Sequence, residues 1–238
     1  MSLPLFYGEI GGSVARLTGD EAHHAAVVRR IVVGEKIVVA DGRGAGISGA
    51  VTSVSRTQVD VTPEQSLAEP EPQPRLVVVQ ALAKGDRGEL AVELLTEVGA
   101  DVIVPWAAER CVVQARGERA DKLVARWTST ARAAAKQSRR LRIPELPPIA
   151  ATDEVAALLA SAQLAIVLHE SAVGSLADVE VPAAGDVVVV VGPEGGITDA
   201  ELNALAGAAV RLGTTVMRTS TAGAAACSAL LSRTSRWS

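Results

Sequence analysis

Residues 186–196 read Asp-Val-Val-Val-Val-Val-Gly-Pro-Glu-Gly-Gly. Five consecutive valines bounded by turn residues suit a strand buried on both faces, as in a parallel sheet. The turn that follows carries almost no side chains, so a ligand can lie directly on its backbone. Pro193 fixes one φ angle of that loop, and Glu194 places one carboxylate at its centre. Open α/β sheets bind ligands at the carboxyl ends of their strands, which makes Gly192–Gly196 the first candidate site.

Outward from this stretch, strand and helix patterns alternate. Leu76–Leu82, Val102–Val104, Leu164–Leu168 and Val187–Val191 read as strands. Arg87–Val98, a long segment at about 119–142, Thr198–Ala206 and the Ala-rich Thr221–Ser232 read as helices. Val210–Leu212 and Thr215–Met217 read as short extended pieces. The alternation predicts an α/β domain with a mainly parallel sheet and helices on both faces. Residues 1–68 read differently, as a small β-rich domain with strands at Lys36–Ala40, Ala50–Val54 and Gln58–Thr62 and a short helix at about 20–30. The alternating prolines of Glu69-Pro70-Glu71-Pro72-Gln73-Pro74 form the best linker. The expected domains are 1–72 and 73–238.

Composition narrows the function classes. The chain has 238 residues, is 48% hydrophobic and 21% charged, and has no apolar run of membrane-spanning length. No signal peptide is visible, and two cysteines, Cys111 and Cys227, cannot form a metal quartet. A reduced, cytoplasmic protein is the simplest expectation. A net charge of −4 argues against a uniformly basic nucleic-acid binder, but ten Lys/Arg stand against two acids, Glu118 and Asp121, between Arg110 and Arg142. On the long helix Leu123, Trp127, Ala131, Ala134, Ser138 and Leu141 form one stripe. Arg119, Lys122, Arg126, Arg132, Lys136, Arg139 and Arg140 spread over the rest. Solvated helix faces ordinarily mix signs; cations alone are the footprint of a phosphate-binding surface.

Two other motifs lead elsewhere. Gly44-Ala45-Gly46-Ile47-Ser48-Gly49 matches the dinucleotide-binding glycine pattern, which requires a helix after it. Here a strand follows, so the stretch reads as a hairpin turn. His23 and His24 are neighbours that cannot easily share a metal, and packing or an RNA-facing role beside Arg29 and Arg30 suits them better. With no Walker lysine and no metal-ligand cluster, phosphoryl transfer and metal hydrolysis are disfavoured. Three loops remain: Leu168-His169-Glu170, Gly192–Gly196, and Leu212-Gly213 through Met217-Arg218-Thr219. In a parallel sheet they converge on one edge as a pocket of backbone amides and carbonyls, suited to an uncharged heterocycle and a ribose.

These blocks carry a resemblance that covers nearly the whole chain. Its earlier parts are Leu17 to His23-His24 with Val28-Arg29, Lys84 through Glu97-Val98-Gly99, Glu109-Arg110, and Gln137-Ser138 through Arg142-Ile143-Pro144. Leu168-His169-Glu170, Gly192–Gly196 and Leu212-Gly213…Met217-Arg218-Thr219…Thr221-Ala222 are the specific ones. The sequence resembles the RsmE family, bacterial 16S ribosomal RNA uridine-N3 methyltransferases of the SPOUT superfamily. It departs at Ser220, where members often have Glu, and at Leu94, where many have a basic residue. The resemblance implies an N-terminal PUA-like β-barrel, a C-terminal α/β trefoil knot, a homodimer, and S-adenosyl-L-methionine as methyl donor to uridine 1498 of 16S rRNA in the small ribosomal subunit. It implies a cofactor site of Leu168, His169, Glu170, Val191, Gly192, Pro193, Gly195, Gly196, Leu212, Gly213, Val216, Met217 and Ala222, and no metal. Arg218 is expected to stabilise the uridine anion or orient its phosphate. Glu194 is expected to act as general base, to orient the substrate, or only to cap its own turn. Expected RNA contacts are His24, Arg29, Arg30, Lys84, Arg87, Arg110, Arg126, Lys136, Arg139 and Arg140. Alternatives are a SPOUT enzyme for another base or a ribose 2′-OH, a non-catalytic RNA-binding factor, and a Rossmann-type oxidoreductase; the last lacks its helix after Gly49.

Overall fold

The computed structural model describes residues 3–237. Two compact units are present, Met1–Glu71 with Ala135–Ile143, and Pro72–Ala134 with Pro144–Ser238. Residues 135–143, expected within the second domain, thus belong to the first unit.

In the first unit, β1 (Leu5–Tyr7), β2 (Glu9–Ile10), β3 (Ala15–Thr18), β4 (Lys36–Ala40), β5 (Ala45–Val54) and β6 (Gln58–Ala68) form one sheet in the order β1-β4-β5-β6-β3-β2. Between β3 and β4 lie α1 (Gly19–His23) and a π-helical turn, His24–Val28. Phe6, Leu17, Ile37, Val39, Ile47, Val51, Val59 and Val61 share one buried cluster. Strands β1, β3, β4, β5 and β6 contribute buried residues to it and β2 the partly buried Ile10, while Leu5, Tyr7 and Ala40 join Ala135 in a second, smaller cluster. Of the glycine run expected as a hairpin turn, Gly44 lies in the turn, and Ala45 to Gly49 are already part of β5. The turn lies at 41–44, and Gly46 to Ala50 pair with Ala40 to Lys36. Its glycines answer close backbone approach: a Cβ on Gly49 would stand 2.1 Å from the Thr62 carbonyl oxygen, at a register shift between Ser48 and Gly49.

The second unit holds β7 (Arg75–Ala81), β8 (Val102–Trp106), β9 (Leu164–Leu168), β10 (Gly174–Ser175), β11 (Asp186–Val191) and β12 (Ala208–Arg211). They form one sheet in the order β10-β12-β9-β11-β7-β8, and every neighbouring pair is parallel. The valine strand β11 is central and its five valines are 0–2% exposed. The helices are α2 (Arg87–Val98), α3 (Glu118–Gln137), α4 (Thr152–Ser161), α5 (Asp199–Leu205) and α6 (Thr219–Leu231). They cover both faces. Val191 turns its γ-carbon toward Gly223 of α6. Val167, beside Val190 in register, faces the α4 side through Leu159 and Gly207. Adjacent residues Val190 and Val191 point to opposite faces of a strand. α2 packs on α6, and α5 packs on α4.

The long helix stops at Gln137 rather than near Arg142, because Arg139 adopts φ +59°, outside the helical region. Its stripe otherwise faces inward, with Trp127 and Ala131 buried. Gly88 of α2 leaves room for the Trp127 ring, whose nearest atom would stand 2.9 Å from an added Cβ. Thr215–Met217, expected to be extended, joins no strand. Among the described residues no helix is long and apolar enough to cross a membrane.

Candidate active site

Because the sheet is parallel, β9, β11 and β12 end at the same edge, and their three following loops line one cleft of about 620 Å³. That volume is within the range of ~300–1,000 Å³ usual for small-molecule sites. Leu168, His169 and Glu170 enter it from β9. Val191, Gly192, Pro193, Glu194, Gly195 and Gly196 enter from β11, and Leu212, Gly213, Val216, Met217 and Arg218 from the segment after β12. Ala222 reaches it from α6. Thr219, part of the third candidate loop, lines it as well, whereas sequence reasoning did not single out Ile197, Asp199 or Arg211, which also line it; only their adjacency to the chosen motifs marked them.

The glycine loop is fixed from both sides. Gly196 has φ +77° and its N–H donates to the Pro193 carbonyl at 2.9 Å. A Cβ on Gly192 would meet Ile197 at 2.7 Å, and one on Gly195 would meet the Arg110 Cβ at 2.9 Å. Arg110 then donates through Nη1 to the Gly195 carbonyl at 3.2 Å. Immediately behind the loop, Thr198 caps α5. Its hydroxyl accepts from the Glu201 N–H at 3.2 Å, and Glu201 accepts from the Thr198 N–H at 3.1 Å. Buried Glu201 also accepts the Glu109 N–H at 2.8 Å, tying the segment before Arg110 to the loop.

Charged groups gather at the cleft. Arg87, the first residue of α2, approaches Glu194 Oε1 to 3.5 Å. The Glu194 carboxylate turns to this cation, and among the described residues no N–H of its own turn donates to it. Arg218 occupies the N-cap position of α6, where its carbonyl accepts the N–H groups of Thr221 and Ala222, each at 2.9 Å. Below α6, Gln80 of β7 is fully buried. It donates to the Thr219 carbonyl at 3.4 Å while its Oε1 has no partner.

The expected RNA contacts distribute differently. Arg87 and Arg110 line the cleft, and Lys84 is exposed close by in sequence. On α3, Arg126 pairs with Glu89 at 3.2 Å and Lys122 with Glu118 at 3.8 Å, so that face is less one-sided than its sequence indicates. In the first unit Lys136 turns inward. It meets Glu21 at 2.7 Å, His24 Nδ1 at 3.2 Å and the Phe6 ring at 4.6 Å from its centroid. Desolvation first, and Lys136 second, push the His24 imidazole below its ordinary pKa. Arg29, Arg30 and Arg139 are exposed, and the Arg140 carbonyl accepts the Tyr7 hydroxyl at 2.9 Å. No group of three His, Cys, Asp or Glu able to hold a metal ion occurs among the described residues.

Comparison with known proteins places this architecture. The RNA methyltransferase domain family matches residues 69–231, and the RNA methyltransferase PUA domain family matches residues 17–64. The chain is 46% identical to ribosomal RNA small subunit methyltransferase E of Mycobacterium tuberculosis, over 95% of this chain and 89% of the relative. It is 30% identical to the Bacillus subtilis protein of the same name, over 90% and 88%. Two solved structures superpose with TM-scores of 0.87 at 28% identity. One is ribosomal RNA small subunit methyltransferase E from Neisseria gonorrhoeae bound to S-adenosylmethionine, covering 97% of this chain and 98% of that one. The other is a methyltransferase from Legionella pneumophila in complex with the same cofactor, covering 98% and 99%. A PUA-like unit, a parallel-sheet RNA methyltransferase unit and this identity together make the chain a member of the ribosomal RNA small subunit methyltransferase E family.

Proposed function

We propose that the protein is a cytoplasmic, S-adenosylmethionine-dependent enzyme that methylates N3 of one uridine, uridine 1498 by family analogy, in 16S rRNA of the small subunit. One observation carries this reading: three loops at the ends of parallel strands converge on a backbone-lined cleft, with Glu194 and Arg218 among its lining residues. The residues fit the cofactor. Gly196 and Gly213, at φ +77° and +75°, take backbone conformations that L side chains rarely adopt and leave bare main chain at the cleft, and relatives with this architecture hold S-adenosylmethionine. Backbone groups of Leu168, Gly192, Gly196, Leu212, Gly213 and Met217 would hold its adenine, ribose and methionine parts.

When bound, the cofactor supplies a methyl group already activated by its sulfonium charge. The protein's task is alignment of acceptor with donor and removal of the N3 proton, since neutral N3 is a poor nucleophile. Glu194 accepts that proton as general base. Arg218 stabilises the negative charge that develops on the uracil ring. N3 lies on the Watson–Crick edge, so the target base is unpaired when it enters. The same reading makes the protein a homodimer and its second unit a trefoil knot.

The test is methyl transfer from labelled S-adenosylmethionine to small subunits lacking the modification, with the product nucleoside identified. N3-methyluridine at one site is expected. Another methylated nucleoside moves the acceptor assignment, and tight cofactor binding without transfer to subunits or free RNA removes it.

A further inference from the structure

Among the described residues, Gln80 alone keeps a buried side-chain atom with no hydrogen-bond partner. It stands near the end of β7, where Leu76, Val77, Val78, Val79 and Ala81 are all apolar and buried, and it is itself 0% exposed. Its register partners are Val191 on one side and Pro105 on the other, neither of which offers a side-chain donor. A buried amide oxygen without a donor lowers stability, and an apolar side chain of similar shape carries no such cost. The core therefore gives no reason for an amide here. Functional sites are where local rules of this kind are most often broken.

The amide reaches α6. Its Nε2 donates to the Ala81 carbonyl at 3.3 Å and to the Thr219 carbonyl at 3.4 Å. Among the described residues the second is the one side-chain hydrogen bond from this sheet to α6. Farther along α6 the buried residues are Gly223, Ala224, Ala226, Cys227, Leu230 and Leu231, small or aliphatic. At Gly223 the helix comes close to the sheet: an added Cβ would stand 3.2 Å from a Val191 methyl and 3.5 Å from Gln80 Oε1. Apolar contact is non-directional. It presses α6 onto β7 and β11 without fixing where its first turn stands along them, and the Gln80 amide supplies that direction.

This first turn borders the cleft. Arg218, Thr219 and Ala222 line it, and the Arg218 carbonyl accepts the Thr221 and Ala222 N–H groups, so Arg218 moves with the turn. Across from it, the glycine loop leaves β11 directly after Val191, the register partner of Gln80. We propose that Gln80 is a positioning residue for methyl transfer: through the Thr219 carbonyl it sets the place of Arg218 relative to the glycine loop. This role rests on the reading of the protein as a methyltransferase in which Arg218 stabilises charge on the uracil ring.

The experiment compares full-length wild type, Q80M and Q80L in single-turnover methyl transfer from labelled S-adenosylmethionine to small subunits lacking the modification. Calorimetric titration of the cofactor and thermal melting accompany it. Methionine fills the space of the amide without its polar atoms. Q80M is expected to melt at or above the wild-type temperature and to bind S-adenosylmethionine within about twofold of wild type, while the rate at saturation falls about tenfold, as a shift of Arg218 by ~0.5 Å suffices to cause. Q80L, of different shape, is expected to show the same split. Wild-type rates in both variants overturn the proposal. A rate loss matched by weaker cofactor binding assigns Gln80 to the cofactor pocket and overturns it. A lower melting temperature in both variants makes the amide a part of the fold, with the same consequence. A slow Q80M beside a fully active Arg218→Ala overturns the route through Arg218. A wild type that transfers no methyl group to subunits or free RNA removes the underlying reading as well.

Discussion

Gly195→Ala is the sharpest probe of the cleft. The new methyl carbon would stand 2.9 Å from the Arg110 Cβ and 3.1 Å from its carbonyl oxygen, where ordinary contacts begin near 3.4 Å. Both neighbours sit on main chain or next to it, so neither can swing aside. The loop has to retreat by about 0.5 Å, which also stretches the 3.2 Å bond from Arg110 to the Gly195 carbonyl. Overpacking of this kind costs ~1–3 kcal/mol in a rigid core; this half-exposed loop relaxes, which puts the stability loss near 1 kcal/mol. Binding suffers more, because a displacement of ~0.5 Å is about the tolerance of a preorganised site. A loss near 1.4 kcal/mol, or about tenfold in Kd, is expected for S-adenosylmethionine. Calorimetric titration of the variant measures it, with thermal melting of the free protein alongside. Gly174→Ala is the control, since its Cβ meets only ordinary contacts at 3.5 and 3.7 Å. Wild-type affinity in Gly195→Ala would refute the claim that this loop's backbone holds the cofactor.

Four further outcomes are expected. Glu194→Gln should abolish most turnover with cofactor affinity retained; full turnover would remove the general-base role. Arg218→Ala should likewise lose methylation while keeping cofactor affinity, and a loss of affinity alone would move Arg218 into the cofactor group. His24 has a pKa below its ordinary 6.5 in the fold, so the unfolded chain binds its proton first and stability falls as pH drops below about 6.5. Melting curves between pH 8 and 5.5 should show a smaller decline for His24→Asn; parallel declines would contradict this. Arg236 forks onto Asp101 at 2.7 and 3.1 Å and onto the carbonyls of Pro74 and Gly99, with side chains 16% and 8% exposed. Arg236→Ala should cost about 3 kcal/mol in urea unfolding, at the low end for a buried pair, and a change under 1 kcal/mol would show the clamp to be idle.

Periodicity carried the second unit well, and failed where its signal was short or local. The helix at Arg87–Val98 and the strands Leu164–Leu168 and Asp186–Val191 were legible because each is a long apolar pattern bounded by turn residues. β1, β2, β3 and β10 span two to four residues, too few to show alternation. α4 went unread although its signals are present: Glu154 accepts the Ala151 N–H at 2.8 Å, and Val155 and Leu159 are buried four residues apart. The end of α3 could not be read because nothing in Gln137-Ser138-Arg139 demands a left-handed residue. The cleft itself was legible as three loops whose convergence followed once the sheet was parallel. The partners of its charges were not, since Arg87 and Glu194 lie far apart in sequence.

The first unit is discontinuous in the chain, and this bears on how the protein is made. Leu5, Tyr7 and Ala40 form a cluster with Ala135, flanked by Leu141 and Ile143. The Glu69 carboxylate accepts the N–H groups of Leu141 and Arg142 at 2.9 and 3.1 Å. Synthesis proceeds from the N-terminus and domains tend to fold as they emerge, yet this one lacks part of its own core until residue 143 has left the ribosome. For that interval Leu5, Tyr7 and Ala40 are uncovered, and residues 72–134 of the neighbouring unit are already outside. A fragment ending at residue 71 therefore exposes the same apolar surface permanently. An autonomous version of this unit has to carry residues 135–143, joined by a linker.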